Sequence, residues 1–150
     1  MLVNSFDKEK RMNNKAVKLN LKFHHIGKPV LLSEIESNPQ TRYAKIYDMY
    51  TLDVPNKFSL PVQMHAFGKD CSLDLRIQTE SHVAFTCENI EKALIDQEII
   101  MPLYEPFKGY KCAMILVNQQ PIELIATTLS EREIWGDGIF KDSLLYDEKK

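Results

Sequence analysis

The chain has 150 residues, of which 44% are hydrophobic and 27% charged, and its formal net charge is −2. This length fits one domain with a sizeable core, and the near-neutral charge lacks the basic signature of a protein that binds DNA or RNA. No apolar run approaches the roughly 20 residues of a membrane span, and the cysteines, Cys71, Cys87 and Cys112, form neither a CxxC pair nor a disulfide framework. We therefore expect a cytoplasmic protein that acts on a small molecule, with no nucleic-acid or membrane partner.

The first half of the chain predicts strands separated by short connections. Residues 1–20 are polar and rich in lysine, which predicts a flexible N-terminal lead without a secretory signal, and Met12 is an alternative start. A strand is predicted over 21–30, followed by a short helix over 31–37 that Ser33 would cap. Residues 43–54 predict one bent strand or two short ones, and residues 58–67 predict another strand. The type of the connector 71–80 stays open.

The second half repeats this order. A strand over 81–87 is followed by a short helix from Asn89 to about residue 95, an edge strand over 99–107 and a hairpin of 110–117 and 120–126. The order strand, short helix, three strands therefore occurs twice, over about 21–68 and 81–128. It predicts an α+β fold in which two βαβββ modules form a curved mixed sheet around a cleft. The apolar tail, 129–150, is expected to pack on the body, on a partner subunit or over the cleft.

Each predicted module contains a histidine strand and, later, a strand with one polar ligand-type side chain. His25 precedes Gln63 by 38 residues, and His82 precedes Glu123 by 41. Because side chains alternate along a strand, the apolar neighbours of His82 and Glu123 point to the core and the two polar side chains point to the cleft. A small residue lies two positions after each histidine, which leaves room for a metal ion and a ligand.

Two imidazoles, one carboxylate and one amide predict a mixed nitrogen and oxygen site for a divalent ion such as Zn²⁺, Ni²⁺, Co²⁺, Mn²⁺ or Fe²⁺. Four ligands from His25, Gln63, His82 and Glu123 would leave two adjacent positions of a six-coordinate ion for a substrate with neighbouring oxygens. The ion would then act as a Lewis acid on a developing enolate. His65, on the same face as Gln63, and Asp74 are alternatives to Gln63.

Proton transfer at such a site needs an acid or base within reach of the substrate. Five side chains are candidates for this role: His65, Tyr47, Tyr50, Tyr104 and Glu105. We choose His65 among them. His24 is expected to face away from the cleft, because its neighbour His25 faces into it.

These residues resemble the vicinal oxygen chelate superfamily, which includes glyoxalase I, methylmalonyl-CoA epimerase, extradiol dioxygenases and bleomycin-resistance proteins. The resemblance covers about residues 21–127, and four motifs in order with matching spacing are more specific than any one alone. They are His25-Ile26-Gly27, Gln63 by position, His82-Val83-Ala84-Phe85 followed by a helix, and Ile122-Glu123-Leu124. The ligand set His, Gln, His, Glu is most similar to that of methylmalonyl-CoA epimerase. The resemblance also implies a homodimer.

The leading hypothesis is a metal-dependent lyase or isomerase that acts on a small carbonyl or carboxylate substrate through an enolate-like intermediate. Two alternatives stay open. His25, His82 and Glu123 alone form a two-histidine, one-carboxylate set, which with iron(II) supports a dioxygenase. The third possibility is a non-catalytic protein of the same fold that binds a small molecule such as an antibiotic.

Overall fold

An eight-stranded mixed sheet forms the body of the protein in a computed structural model that describes residues 18–147. The strands are β1 (Lys22–Pro29), β2 (Arg42–Ala44), β3 (Met49–Val54), β4 (Val62–Phe67), β5 (His82–Thr86), β6 (Glu98–Phe107), β7 (Tyr110–Val117) and β8 (Gln120–Thr127). The short helices are α1 (Leu32–Ile35), α2 (Leu75–Thr79), α3 (Ile90–Ala93) and α4 (Glu131–Ile134), with 3₁₀ turns at Lys45–Tyr47 and Asp137–Phe140. No helix within 18–147 is long and apolar enough to cross a bilayer.

The strand order is β2-β3-β4-β1-β5-β8-β7-β6, so the two halves of the sheet run outward from a central β1–β5 pair. In the first half β1 pairs in parallel with β4, and in the second half β5 pairs in parallel with β8. The remaining pairings are antiparallel. The predicted α+β class with a curved mixed sheet is confirmed.

Local sequence signals account for several element boundaries. Asn118 and Gln119 have φ of 50° and 68° and form the two-residue turn between β7 and β8, the geometry favoured by the twist of a hairpin. Asn89 caps α3 by accepting a hydrogen bond from the Lys92 amide at 3.0 Å. β6, which contains Pro102 and Pro106, is an edge strand as predicted.

Two local predictions differ from the structure, and a third segment, whose type the sequence left open, contains a helix. The N-cap of α1 is Leu31 rather than Ser33, because the Glu34 carboxylate accepts from the Leu31 amide at 2.7 Å. The strand predicted over 58–67 begins only at Val62, after the proline at 61. The connector 71–80 contains α2, which Asp74 caps by accepting from the Arg76 amide.

The two faces of the sheet have different coverings. The outer face is covered by the helices α1 and α3, which bury Ile35 and Ile90 against apolar strand residues such as Leu52 and Leu124. The inner face, which we call the cavity face, carries the largest core cluster. Its buried members come from α2, from β5 to β8 and from the C-terminal segment: Ile77, Ala84, Ile100, Met101, Phe107, Tyr110, Cys112, Met114, Leu116, Ile125, Ile134 and Ile139.

The described part of the C-terminal segment, 129–147, packs on the body over the cavity face. Its backbone is held by hydrogen bonds from the Leu144 amide to the Pro106 carbonyl at 2.7 Å and from Lys108 to Lys141 at 3.2 Å. Residues 1–17 of the predicted N-terminal lead lie outside the described residues. At its end, Leu19 is 4% exposed and belongs to the outer-face core, so the packed chain begins before residue 21.

Candidate metal centre

Three side chains from three strands meet on the cavity face. His25 on β1, His82 on β5 and Glu123 on β8 each offer one ligand-type atom, and these atoms all lie within 4.8 Å of one another. His25 Nε2 and Glu123 Oε1 are 3.4 Å apart. Among the His, Cys, Asp and Glu side chains of residues 18–147, this is the one group with such spacing.

The register of the sheet explains the convergence. The residue two positions after His82, Ala84, lies beside Glu123 in the β5–β8 pair. The residue two positions after His25, Gly27, lies beside Gln63 in the β1–β4 pair. Glu123 and Gln63 thus occupy equivalent places relative to the two histidines.

Gly27 is required by the packing of the site. In the antiparallel β1–β5 pair Gly27 lies opposite His82, and a Cβ at position 27 would overlap the His82 imidazole ring. Gly27 was predicted to leave room for a metal ion and a bound ligand. In the structure it makes room for the side chain of His82.

One atom of each of these three side chains is buried and has no hydrogen-bond partner. His25 Nε2, His82 Nε2 and Glu123 Oε1 are buried and form no hydrogen bond within the described protein. Burial, reinforced by the charges of His82, His24 and His65, lowers the pKa of His25 to about 2, and burial lowers that of His82 to about 4. Burial also raises the pKa of Glu123 to about 7. The lowered pKa of His25 favours a neutral imidazole beside Glu123.

The donor set fits a divalent metal ion. Unpaired buried polar atoms are costly, so three of them at one point need an explanation. Two imidazole nitrogens and a carboxylate oxygen are ligands of zinc and of non-haem iron, and metal–ligand bonds of about 2.1 Å place neighbouring donor atoms roughly 3–4 Å apart. The 3.4 Å separation of His25 Nε2 and Glu123 Oε1 already has this value.

Gln63 lines the same cavity, but its amide is committed to another residue. Gln63 Nε2 donates to Asp53 Oδ1 at 2.9 Å, and the other oxygen of Asp53 pairs with Arg42 at 3.1 Å. Only the amide oxygen of Gln63 is left to act as a ligand. Arg42 also lines the cavity, its guanidinium lies 5.3 Å from the ring centroid of Tyr146, and its Nε has no partner.

His65 lies beside the three converging side chains rather than among them. Its Nδ1 is 3.0 Å from Thr51 Oγ1, and its ring stacks on that of His82 with centroids 5.8 Å apart. Burial, with the charges of His82 and Arg42, lowers the pKa of His65 to about 3. His65 is therefore a neutral hydrogen-bonding group and a weak base.

The other candidates divide into two groups. Tyr47 and Tyr104 line the cavity with their rings 6.1 Å apart. Tyr50 packs instead with the outer-face core, and Glu105 is not part of the cavity wall. The Asp74 carboxylate accepts hydrogen bonds from the amide and the guanidinium of Arg76 at the start of α2. Asp74 is therefore not the fourth ligand.

His24 was predicted to face away from the cleft, and this prediction is wrong. A β-bulge between Phe23 and His25 breaks the alternation of β1, because an extra residue in one strand re-aims its neighbours. Both histidines consequently point to the cavity side. His24 Nδ1 lies 2.8 Å from His25 Nδ1, and the His24 ring stacks on Trp135 with centroids 5.5 Å apart.

The cavity has a volume of about 110 Å³. The C-terminal segment closes one side of it with apolar and aromatic side chains: Ile134, Trp135, Ile139, Leu145 and Tyr146. Since a cavity on the order of 150 Å³ holds benzene, this space suits a small organic ligand rather than a polymer.

Sequence reasoning missed Arg42 and Trp135, and it gave His24 the wrong direction. The paired histidines at 24 and 25 were visible, but the bulge that turns both inward depends on the pairing of β1 with β5. The apolar tail indicated packing without indicating where Trp135 would lie. Arg42 has no sequence signal that separates it from a surface arginine.

No model of a known protein family matches this chain, and no curated protein matches it significantly.

Proposed function

We propose that the protein is a metal-dependent enzyme of the vicinal oxygen chelate type, a lyase or isomerase for a small carbonyl or carboxylate compound. One observation carries the proposal: three buried, unpartnered ligand-type atoms, from His25, His82 and Glu123, meet at the wall of a small cavity. A bound divalent ion would supply a Lewis acid for a substrate oxygen and favour an enolate-like form of the substrate.

The strand order supports the predicted module arrangement. Read outward from the centre of the sheet, β1-β4-β3-β2 and β5-β8-β7-β6 have the same sequence of strands, pairings and directions. Each half contributes a histidine from its first strand and a cavity-facing Gln63 or Glu123 from its last. Two βαβββ modules around a metal-binding cleft account for both features.

The residues around the three ligands have separate tasks in this proposal. Gln63 is the predicted fourth ligand through its amide oxygen, which its hydrogen bond to Asp53 leaves free. His65 is the candidate base, a neutral imidazole beside His82 that accepts the substrate proton, and Thr51 fixes the orientation of its ring. The apolar side chains of the C-terminal segment exclude water from the reacting atoms.

The charges of the cavity favour an anionic substrate. A divalent cation and the Arg42 guanidinium would together outweigh the carboxylates of Glu123 and Asp53 by one unit. The unpartnered Nε of Arg42 is a donor that a substrate carboxylate accepts from. Pyruvate and the neutral, similarly shaped butane-2,3-dione form a matched pair of probes. Pyruvate should bind the metal-loaded protein more tightly, and Arg42→Met should reduce the difference to the part that the metal ion supplies.

Iron(II) chemistry is the second candidate, and the engagement of Gln63 favours it. If the amide stays with Asp53, the ligands are two histidines and one carboxylate, the set that supports oxygen chemistry with iron. Oxygen uptake by the anaerobically iron-loaded protein on addition of catechol tests this candidate. No uptake with iron bound would return the preference to the lyase or isomerase.

The proposal is tested by metal analysis of the purified protein beside two variants. We expect one divalent ion per chain in the wild type, less than a tenth of that in Glu123→Ala, and full occupancy in Glu105→Ala, whose carboxylate lies outside the cavity wall. Absence of metal after reconstitution with Zn²⁺, Ni²⁺, Co²⁺, Mn²⁺ and Fe²⁺ would contradict the proposal. It would favour a protein that binds small molecules without catalysis.

A further inference from the structure

A chain of hydrogen bonds connects the C-terminal segment with the side of His25 that faces away from Glu123. Trp135 Nε1–H donates to Glu131 Oε2 at 2.7 Å, and the other Glu131 oxygen lies 3.0 Å from His24 Nε2. His24 Nδ1 in turn lies 2.8 Å from His25 Nδ1. The remaining nitrogen of His25, Nε2, is the atom that faces Glu123.

The chemistry of these groups sets the direction of each bond. An ionised carboxylate only accepts hydrogen bonds, so the proton between Glu131 and His24 is on His24 Nε2. In the neutral form of His24 this is the only N–H of the ring, which leaves His24 Nδ1 as an acceptor. His25 Nδ1–H therefore donates to His24, and His25 Nε2 carries its lone pair toward His82 and Glu123.

The surrounding structure holds this chain in place. His24 is 7% exposed, and its ring is nearly parallel to that of Trp135, with an angle of 11° between the planes. Glu131 is the first residue of α4. Its side chain is 65% exposed, so its carboxylate is held by its hydrogen bonds to Trp135 and His24 rather than by burial. The His24 ring is fixed by burial and by stacking before any ligand binds.

We propose that His24 and Glu131 are positioning residues that hold His25 in the tautomer whose Nε2 lone pair faces the metal site. The inference rests on the metal site proposed above and makes the C-terminal segment part of it. Metal-binding histidines are commonly oriented by a hydrogen bond from their other ring nitrogen, and loss of that partner weakens metal affinity 10–100-fold. Here the partner is a second histidine, supplied by the bulge in β1 and oriented by a carboxylate 107 residues away.

The tautomer is measurable in the metal-free protein. Long-range ¹H–¹⁵N correlation spectra at pH 8 distinguish Nδ1–H from Nε2–H in each imidazole. We expect His25 to be the Nδ1–H form in the wild type and to show the Nε2–H form in Glu131→Ala and in His24→Phe. A zinc titration against a chelator should give a dissociation constant 10–100-fold weaker in both variants.

Glu133→Ala is the matched control, because it breaks the cap of the same helix and leaves Glu131 in place. We expect it to lower the melting temperature without changing the His25 tautomer or the zinc affinity. Zinc affinity lost equally in Glu133→Ala and Glu131→Ala would overturn the proposal, since the loss would then follow from the helix alone.

Two further results would also overturn it: His25 as Nε2–H in the metal-free wild type, or an unchanged tautomer and zinc affinity in Glu131→Ala. If the wild type bound no zinc at any concentration, the proposed function would fail. The tautomer of His25 in the metal-free wild type and in Glu131→Ala would still decide this inference by itself.

Discussion

Glu123 has an oxygen atom that is not satisfied within the described protein. Its Oε1 is buried and has no hydrogen-bond partner, and burial raises the pKa of the carboxyl from 4.5 to about 7. Between these two values the folded protein holds a proton that the unfolded chain has released. Ionisation of this carboxyl therefore lowers the free energy of unfolding as the pH rises through this window. The decrease is complete above pH 7.

Replacement of this carboxyl should stabilise the metal-free protein. We expect Glu123→Gln to raise the free energy of unfolding at pH 8 by on the order of 3 kcal/mol, since one pKa unit corresponds to about 1.4 kcal/mol. The gain should shrink several-fold at pH 5, where Glu123 is protonated in the folded protein. Urea unfolding with a chelator present measures the free energy of unfolding at both pH values, and Glu105→Gln is the control. Equal stability of the wild type and Glu123→Gln at pH 8 would contradict the prediction.

Gly27 gives a second prediction at the scale of a single residue. A Cβ in Gly27→Ala would overlap the His82 ring, so we expect a loss of about 1–3 kcal/mol in stability together with loss of metal binding. Gly68→Ala is the matched control, because its Cβ would overlap the Asp48 carboxylate, which is not part of the cavity wall. Gly68→Ala should lose stability and keep the metal. Metal binding retained in Gly27→Ala would show that the position of the His82 ring is not needed for metal binding.

At the scale of the element, the strands differ in how far local sequence determines them. The β7–β8 hairpin follows from two alternating apolar runs around a two-residue connection, and it was predicted to within one residue. The bulge in β1 arises only in the pairing of β1 with β5. It changes the direction of His24, and periodicity within one strand contains no information about it.

The hairpin turn is a site where the sequence is not optimal for its conformation. Gln119 has φ of 68°, a left-handed conformation that favours glycine. We expect Gln119→Gly to stabilise the protein by about 0.5–1 kcal/mol, measured by urea unfolding. Gln40→Gly, at a residue without positive φ, should be neutral or destabilising; a loss of stability in Gln119→Gly would contradict this account of the turn.

At the scale of the whole molecule, metal binding should stabilise the fold, because the three proposed ligands come from β1, β5 and β8. An ion that binds only the folded state at 100 times its dissociation constant adds about 2.7 kcal/mol. For a chain of this size that corresponds to a rise in melting temperature of about 5–10 °C. Calorimetry of the wild type with and without zinc should show this rise and His82→Ala should not; the same rise in both would place the ion elsewhere.

The oligomeric state also belongs to this scale. The homodimer implied by the resemblance stays a prediction, and light scattering of the purified protein measures it directly.

The sequence by itself determined the α+β class with its mixed sheet and the positions of His25, His82 and Glu123, which the structure brings together. These follow from alternation along strands, turn residues and spacing, which are local properties. Tertiary structure decided the commitment of Gln63 to Asp53, the inward turn of His24, the place of Arg42 and the course of the C-terminal segment over the cavity. Each of these depends on contacts between residues distant in the chain, as between His24 and Glu131, and burial and hydrogen bonding at such contacts are set only when the strands pair.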